Sequence, residues 1–285
     1  MIPTPPRPYQ TTSYALPTAP LKYAQRVNTP DGASLAAFVY GSYDKDLQEL
    51  LSVDPVLVLH GNGGSHATFV QVIERLCAAG LGVIAFDSRA QGQSTRGTAR
   101  LTYEQMADDA IAVLNALGVK KVHVLGHSDG GIEALLLARD YADRVASIVA
   151  GGANLTPEGV VDEWDMESSI ASQRAWSAWL QGGDVPHDID PSLLPSAEGA
   201  TTAAELLQLM LDEPHIDAAS LATIACPTCV LVGEHDCITR EETEAIAAAI
   251  PGARLVTVPG VGHSLPRQAP DAVALQVLTN VLLSR

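Results

Sequence analysis

The clearest indication of the fold is the ten-residue segment Val122-His-Val-Leu-Gly-His-Ser-Asp-Gly-Gly131. It begins with a short apolar run of the kind that forms a strand inside a parallel sheet, and the apolar pattern over 132–141 predicts a helix after it. Between the two, Gly126-His-Ser-Asp-Gly130 matches G-x-S-x-G, a pattern typical of a sharp, strained turn from a strand to a helix. Ser128 at the turn is therefore a candidate nucleophile. The alternative is a glycine-rich turn in which the serine is incidental.

Strand and helix patterns alternate on both sides of this turn. The predicted strands cover residues 55–59, 82–86, 122–125, 145–150, 229–232 and 254–258. The predicted helices cover residues 67–79, 103–117, 132–141, 240–250 and 270–284. This alternation predicts an α/β fold, in which a mostly parallel sheet is covered by helices on both faces. Ahead of it, strand patterns over 21–29 and 33–40 predict a hairpin, and the polar residues 41–54 predict a loop.

The chain divides into an arm, a core and an insertion. Residues 1–20 contain six prolines and predict an extended arm rather than a helix. The alternating pattern is interrupted over residues 155–220, which we interpret as an insertion. The two parts of the chain on either side of it, 21–154 and 221–285, are then predicted to form one core.

The composition is that of an acidic globular protein. Of the 285 residues, 47% are hydrophobic and 18% are charged, so the chain is able to bury a sizeable core. The formal net charge of −16 repels phosphate backbones and anionic lipid, and we therefore expect no nucleic-acid partner and no docking to a membrane. The N-terminal residues lack the pattern of a signal peptide, and no stretch of 18 uncharged apolar residues occurs. We expect a cytoplasmic protein that is a monomer or a homodimer.

Four cysteines are too few for a disulfide framework in a chain of this length. Cys226 and Cys229 form a C-x-x-C pair, but a strand pattern follows it, whereas a redox pair of this type begins a helix. Cys77 and Cys237 supply no second pair at the spacing of a zinc site, and the histidines away from the candidate site lack ligand spacing. We interpret the C-x-x-C cysteines as small buried apolar residues and expect no metal ion and no cofactor.

Three further segments fall at the ends of predicted strands, where a catalytic site around Ser128 would need them. The glycine-rich loop His60-Gly-Asn-Gly-Gly64 can aim a backbone N–H at an oxyanion, although an ordinary loop would have the same pattern. Asp236 is a short acid at a strand end, with Glu234 as the neighbouring alternative, and His263 follows the next strand. The order serine, acid, histidine along the chain is the one that the G-x-S-x-G turn predicts.

Together these segments resemble the α/β-hydrolase fold superfamily over nearly the whole chain from about residue 21. The resemblance rests on Leu59–Gly64, Phe86–Ser94, Gly126–Gly130, Val232–Asp236 and the pair Gly262-His263. It implies that Ser128 is the nucleophile, that His263 is the general base and then the general acid, and that Asp236 orients the histidine. It also implies an oxyanion hole formed by the backbone N–H groups of Asn62 and Asp129.

Two residues depart from the pattern of the superfamily. Ala90 stands where the loop after the predicted strand 82–86 usually has a glycine, which we expect to alter the shape of that loop. Asp129 stands after the nucleophile, where many relatives have an apolar residue. We interpret its carboxylate either as a local cap of the helix N-terminus or as a group that disfavours an anionic acyl group.

In the superfamily, an insertion at this position forms a cap over the active site, and we expect the same of residues 155–220. The insertion contains apolar residues that include Met210, and it also holds all three tryptophans of the chain. These are Trp164, Trp176 and Trp179. Together with His127 beside the nucleophile, these aromatic and apolar residues are the predicted substrate contacts. The alternative is that they only anchor the cap to the core.

The charge of the insertion bears on the substrate. Thirteen acidic residues against one basic residue, Arg174, give it a net charge of −12. An anionic substrate would need an arginine in the pocket, and Arg174 and Arg89 are the only candidates. Because the insertion is so acidic, we predict neutral esters or lactones as substrates. The alternative is that the acidic residues only form a solvated face.

The leading hypothesis from the sequence is a serine hydrolase that cleaves small, partly apolar carboxylic esters or lactones. A cofactor-free C–C bond hydrolase or enol-lactonase with the same triad is an alternative within the same fold. A small-molecule receptor with very slow turnover is an alternative from a different functional class. Fold alone does not decide among the three.

Overall fold

An eight-stranded sheet forms the centre of the molecule. The computed structural model describes residues 3–6, 15–161, 165–182 and 194–285. The strands are β1 (Leu21–Asn28), β2 (Ser34–Tyr40), β3 (Val56–Leu59), β4 (Val83–Phe86), β5 (Val122–His127), β6 (Val145–Gly151), β7 (Thr228–His235) and β8 (Arg254–Gly262). They lie in the order β1-β2-β4-β3-β5-β6-β7-β8. β1 and β2 form antiparallel pairs, and the strands from β4 to β8 in this order run parallel.

Helices cover both faces of this sheet, so the predicted α/β fold is confirmed. The helices are α1 (Leu47–Ser52), α2 (Val70–Ala78), α3 (Tyr103–Ala116), α4 (Asp129–Asp140), α5 (Met166–Gln181), α6 (Ala197–Asp212), α7 (Arg240–Ala249), α8 (Leu265–Gln268) and α9 (Pro270–Leu283). α2 and α9 pack on one face, and α3, α4 and α7 pack on the other. Among the described residues, no helix combines the length and the apolar character needed to cross a membrane.

The central strands are buried on both faces. Along β3, Val56 and Val58 contact the layer of α2 and α9, while Leu57 and Leu59 contact the layer of α3 and α4. Successive side chains of a strand point to opposite faces, so a strand between two helical layers needs an apolar residue at every position. This is why the short all-apolar runs in the sequence predict the strands well.

The chain order of the strands reverses at β3. β4 follows β3 in sequence and pairs with it on one side, whereas β5 pairs with it on the other side. In an open parallel sheet, the carboxyl ends of the strands at such a reversal bound a crevice that can hold a ligand. The loops after β3 and β5 therefore meet at the edge of the sheet where the candidate site is predicted. The loops after β7 and β8 lie at the same edge.

The predicted hairpin is formed by β1 and β2, and a buried arginine holds its turn to the core. The Arg89 guanidinium is fully buried, and its Nη1 donates to Asp31 Oδ2 of the turn at 3.0 Å. Its Nε donates to Asp109 Oδ2 of α3 at 2.6 Å. The arginine thus connects the hairpin, the loop after β4 and α3 through charge-assisted hydrogen bonds.

Two element boundaries differ from the sequence predictions for local reasons. The sequence predicts a loop over 41–54, but α1 forms within it because Asp46 and Glu49 make a reciprocal capping box. Six residues are too few to show helical periodicity in the sequence. α4 begins at Asp129, before its predicted start at residue 132, because the two glycines after Asp129 continue the helix although glycine usually interrupts one.

The segment between β6 and β7 contains α5 and α6, which pack against each other; we refer to residues 155–220 as the cap. A small apolar cluster between the two helices is separate from the core and consists of Met166, Ile170, Ala204 and Leu207. α6 also places Leu206 and Leu209 in the apolar cluster of the core. α6 is therefore one of the elements that hold the described part of the cap to the core.

Candidate active site

Ser128 lies at the turn between β5 and α4. Its backbone has φ +57° and ψ −121°, in the region that side chains rarely adopt. The turn is held by Ser128 N, which donates to Gly151 O at 2.8 Å, and by Ser128 O, which accepts from Gly131 N at 2.7 Å. A Cβ on Gly126 would lie 1.8 Å from a backbone oxygen of the same turn, so the glycine is required there. The local structure is that of the strained turn predicted from the sequence.

The structure brings His263 and Asp236 to this serine. His263 Nε2 lies 3.0 Å from Ser128 Oγ, and His263 Nδ1 lies 2.6 Å from Asp236 Oδ1. Asp236 directly follows β7 and His263 directly follows β8, so two neighbouring strands position the pair. The carboxylate is fixed further by the backbone N–H of Ile238, which donates to Oδ1 at 3.1 Å. The Asp236 side chain is 1% exposed and the His263 side chain 22%. Solvent therefore reaches the histidine but hardly reaches the carboxylate behind it.

The Asp236–His263 pair polarises both groups. Burial alone would raise the pKa of Asp236, but the hydrogen bond and positive charge of His263 lower it below its ordinary value. Burial alone would lower the pKa of His263, but the Asp236 carboxylate, with a further contribution from Cys237, raises it above 6.5. The carboxylate therefore keeps a proton on Nδ1, which leaves the Nε2 lone pair to accept a proton from Ser128.

Glu234, the alternative acid, lies elsewhere. Its side chain is 52% exposed, and Oε2 accepts from the backbone N–H of Gly260 at 2.7 Å. The two acids are two positions apart on an irregular strand end, yet the carboxylate that contacts His263 is that of Asp236. The strand-end pattern alone leaves this choice open, whereas the resemblance favours Asp236, and it is Asp236 whose side chain contacts His263.

His127 precedes the serine and packs against the back of the histidine. Its ring centroid lies 4.9 Å from that of His263 and 6.5 Å from that of Phe69, which it meets edge-on. Burial, together with the nearby His263, lowers the pKa of His127 to about 3, so its ring is neutral at physiological pH. The observed contact supports the ring of His263, and the predicted contact of His127 with a substrate stays a prediction.

Asn62 and Asp129 link the two segments whose backbone N–H groups are the predicted oxyanion hole. Asn62 Nδ2 donates to Asp129 Oδ2 at 2.8 Å, and Tyr103 Oη donates to Asp129 Oδ1 at 3.1 Å. Asn62 Nδ2 also lies 3.0 Å from the carbonyl oxygen of Leu206 on α6. The side chain of Asn62 therefore joins the loop after β3, the turn at Ser128 and the cap.

The Asp129 carboxylate is 3% exposed, and burial raises its pKa to about 6 against the opposing hydrogen bonds from Tyr103 and Asn62. Neither sequence interpretation of this residue includes a link to other elements. The three residues involved are far apart in the chain and belong to three different elements, so no local pattern in the sequence could reveal their contact.

The loop after β4 adopts the shape that a glycine would favour, although it contains Ala90. Ala90 has φ +67°, in the left-handed region. Asp87 holds the loop, because its Oδ2 accepts from Gln93 N at 2.8 Å and its Oδ1 accepts from His66 N at 2.9 Å. The alanine thus takes on a strained conformation, and the expected change of loop shape relative to the superfamily stays a prediction.

The predicted cap contacts have the following places. Trp176 is fully buried, its Nε1 donates to Pro195 O at 2.9 Å, and its ring centroid lies 5.1 Å from that of Trp179. Met210 is partly buried against the apolar cluster between α5 and α6. Trp164 lies outside the described residues. These contacts are internal to the cap, and a role of these residues in binding a substrate stays a prediction.

The two arginines considered for an anionic substrate are engaged by protein groups. Arg89 is fully buried between Asp31 and Asp109, and Arg174 Nη2 donates to Gln208 on the next cap helix at 3.1 Å. A carboxylated substrate would have to compete with these partners for the guanidinium groups.

Cys237 lies next to Asp236 and His263, a position that the sequence does not predict. Its sulfur lies within 4.8 Å of a carboxylate oxygen of Asp236 and of a ring nitrogen of His263. All four cysteines are free thiols, and burial raises the pKa of Cys229 to about 11, as expected of a buried apolar residue. The spacing of possible metal ligands along the sequence does not reveal Cys237, because the histidine beside it in the structure follows a different strand.

Comparisons with known proteins cover most of the chain. Residues 56–277 match the family model described as "Alpha/beta hydrolase family". Rhodomycin D methylesterase DauP of Streptomyces sp. (strain C5) is 27% identical, over 78% of this chain and 88% of that protein. Serine hydrolase BPHL of Homo sapiens is 30% identical, over 74% of this chain and 73% of that protein. The solved structure of a thermophilic esterase from Thermogutta terrifontis matches with a TM-score of 0.68 and 26% identity, over 92% of this chain and 99% of that one.

Proposed function

The chain belongs to the alpha/beta hydrolase family, and from that membership we propose that it hydrolyses carboxylic esters through Ser128, His263 and Asp236. The observation that carries the proposal is the continuous line of hydrogen bonds from the serine hydroxyl through the imidazole to the carboxylate, with distances of 3.0 and 2.6 Å. A nucleophile, a base in contact with it and a group that orients the base are what acyl transfer requires.

The first half of the reaction forms an acyl-enzyme. Ser128 Oγ attacks the carbonyl carbon of the ester while His263 Nε2 takes the hydroxyl proton. The imidazolium then gives that proton to the departing alkoxide. Asp236 remains ionised throughout, because it stabilises the imidazolium and keeps the other ring proton on Nδ1.

The tetrahedral intermediate carries a negative oxygen that needs hydrogen-bond donors. In the proposal, the backbone N–H groups of Asn62 and Asp129 supply them, and each donor of this kind contributes roughly 3 kcal/mol. The start of α4 at Asp129 adds the positive end of a helix dipole. The bond between the side chains of Asn62 and Asp129 supports this role, because it fixes the two segments relative to each other.

The second half releases the acid. A water molecule takes the place of the alcohol, His263 removes a proton from it, and the resulting hydroxide attacks the acyl carbon. Collapse of the second tetrahedral intermediate expels Ser128 Oγ, which takes back the proton from His263. One ester and one water are thereby converted into one alcohol and one acid.

We infer a neutral substrate with a small, partly apolar acyl or alcohol group. Asp129 is a buried acid directly beside the nucleophile, and the cap carries a net charge of −12. Both disfavour an anionic group near the reacting carbonyl. The methylesterase and the esterase among the similar proteins support ester cleavage over cleavage of a C–C bond.

The test is a panel of p-nitrophenyl esters of graded chain length, together with labelling by a fluorophosphonate. We expect the wild type to hydrolyse short esters and to be labelled. Ser128→Ala should lose at least about 10³-fold in rate, and also the label. Ser284→Ala, which removes an exposed hydroxyl at the C-terminus, is the matched control and should keep both.

Labelling of Ser128→Ala would contradict the assignment of the nucleophile. Wild-type rates at the uncatalysed background on every ester would favour the receptor hypothesis instead. The charge argument has its own test, in which an ester that carries a free carboxylate is compared with the same compound after that carboxylate has been methylated. We expect the methylated, neutral compound to be cleaved faster.

A further inference from the structure

Asp236, Cys237 and His263 present three different metal-ligating atoms at one place. The carboxylate oxygen, the sulfur and the ring nitrogen all lie within 4.8 Å of one another, and all three residues are partly buried. We infer that the ligating nitrogen would be Nδ1, because Nδ1 contacts Asp236 while Nε2 contacts Ser128. Nothing in the proposed reaction uses the thiol of Cys237.

These distances are close to those that a tetrahedral Zn²⁺ site requires. Zinc binds sulfur at about 2.3 Å and nitrogen or carboxylate oxygen at about 2.0–2.2 Å, so neighbouring ligand atoms lie roughly 3.5 Å apart. The Nδ1–Oδ1 distance of 2.6 Å has to lengthen by about 1 Å. The sulfur lies within 4.8 Å of the other two atoms and has to approach them by at most roughly 1.3 Å. Small rotations of three side chains on loop residues can supply such movements.

The surroundings attract cations. Asp236 borders a surface cavity of about 480 Å³, which is also lined by Glu234, Glu241 and Glu244. Arg240 lines the same cavity, but its Nε donates to Glu244 at 2.6 Å, so that carboxylate neutralises it. A concave surface with excess negative charge raises the local concentration of cations.

We propose that Asp236, Cys237 and His263 form a binding site for a thiophilic divalent cation such as Zn²⁺, and that occupation of this site stops catalysis. A thiolate and an imidazole are good ligands for Zn²⁺, Cd²⁺ and Co²⁺ and poor ligands for Mg²⁺ and Ca²⁺. The thiolate and the carboxylate balance the two charges of the ion, and a water molecule completes the tetrahedron.

The block follows from the position of one proton. Binding releases the thiol proton of Cys237 to solvent. The ion also displaces the proton from Nδ1 of the neutral His263 ring, and the ring takes up a proton from solvent at Nε2. The single proton of the neutral ring then sits on Nε2. Because Nε2 faces Ser128, it becomes a donor and is unable to accept the serine proton. The ion thus traps the wrong tautomer without occupying the substrate side of the histidine.

Binding is measured first, without turnover. Co²⁺ is titrated into the protein, and the charge-transfer absorption of a thiolate–Co²⁺ bond is followed; Zn²⁺ affinity comes from competition with a chromophoric chelator. We expect the band in the wild type, in Ser128→Ala and in the matched control Cys226→Ala. Cys237→Ala should lose the band and bind Zn²⁺ at least about tenfold more weakly. A Zn²⁺ affinity of Cys237→Ala equal to that of the wild type would overturn the site.

Inhibition is measured next, relative to the metal-free rate of each variant. We expect Zn²⁺ to lower kcat and the rate of fluorophosphonate labelling without raising KM, and Mg²⁺ at the same concentration to have no effect. Cys226→Ala should respond as the wild type does, and Cys237→Ala at least about tenfold less. Binding without inhibition would overturn the proposed block.

The block rests on the proposed function, whereas the binding does not. Should the wild type neither hydrolyse any ester nor react with the fluorophosphonate, the proposed function and the block would both fall. The Co²⁺ band and its dependence on Cys237 would still decide the metal site by themselves.

Discussion

Asn62 Nδ2 lies 2.8 Å from Asp129 Oδ2, in a hydrogen bond between side chains that are 67 positions apart in the chain. The same nitrogen lies 3.0 Å from Leu206 O on α6. One amide group thus connects the loop after β3, the turn at Ser128 and the cap. The backbone N–H groups predicted to bind the oxyanion belong to the first two of these segments, so their separation depends on this bond.

Asn62→Ala should therefore lower kcat more than it raises KM. Loss of the amide frees the loop after β3, and a misplacement of about 1 Å at an oxyanion donor lowers the rate by roughly 10- to 100-fold. The measurement is kcat and KM on a short p-nitrophenyl ester. The control is Gln208→Ala, which removes a side-chain amide of the cap that contacts Arg174 instead of Asp129. It should change kcat by less than about twofold. An Asn62→Ala variant with normal kcat and a raised KM would restrict the link to holding the cap.

The activity of the wild type should rise with pH through a limb that lies above the ordinary histidine pKa of 6.5. His263 has to be neutral to accept the serine proton, and its pKa is raised by Asp236. Asp236→Asn removes the negative charge, so the limb should move to lower pH while kcat falls by up to about 10⁴-fold. The pH profiles of kcat/KM for the two proteins check both effects. A limb that stays in place in Asp236→Asn would contradict the assignment of the limb to His263.

Glu133 should make the protein less stable as the pH rises. The residue is fully buried on α4, and neither carboxyl oxygen has a hydrogen-bond partner in the described part of the chain. Burial, together with Asp129 and Asp109, raises its pKa well above the usual range, so the folded protein keeps this proton at pH values where the unfolded chain has lost it. Each pH unit above the unfolded pKa then costs about 1.4 kcal/mol until the folded pKa is reached.

Glu133→Gln does not ionise and should remove this dependence. The measurement is the free energy of unfolding in urea at pH 6 and pH 8.5 for both proteins. We expect the wild type to lose stability relative to Glu133→Gln between these two values. If the difference in unfolding free energy between the two proteins is the same at pH 6 and pH 8.5, the pKa of Glu133 in the folded protein lies below 6, which contradicts the prediction.

Ala90→Gly should stabilise the protein by about 1 kcal/mol. Ala90 has φ +67°, where an L-residue is strained by roughly 1–2 kcal/mol and glycine is not, although glycine restores some freedom to the unfolded chain. The matched control is Ala112→Gly on α3, which should destabilise the protein by about 1 kcal/mol because its backbone is helical. The shifts in thermal unfolding of the two variants should therefore have opposite signs.

The sequence is most informative where one short pattern determines the structure. The all-apolar strands β3, β4 and β5 and the turn at Ser128 follow from burial on two faces and from close packing at glycines. The approach of Asp236 and His263 to Ser128 fits their order along the chain. The link from Asn62 to Asp129 and the place of Cys237 depend on side-chain directions at the ends of distant strands, which no local pattern encodes.

The buried arginine sets a limit on how much of this chain can be removed. The family match begins at residue 56, whereas Asp31, which shares Arg89 with Asp109, lies in the hairpin ahead of it. A fragment trimmed to the matched residues would retain Ser128, Asp236 and His263 but would leave a guanidinium in the interior with half of its counter-charge. The smallest fragment that can be expected to fold by itself therefore extends beyond the residues matched by the family model and includes the hairpin that contains Asp31.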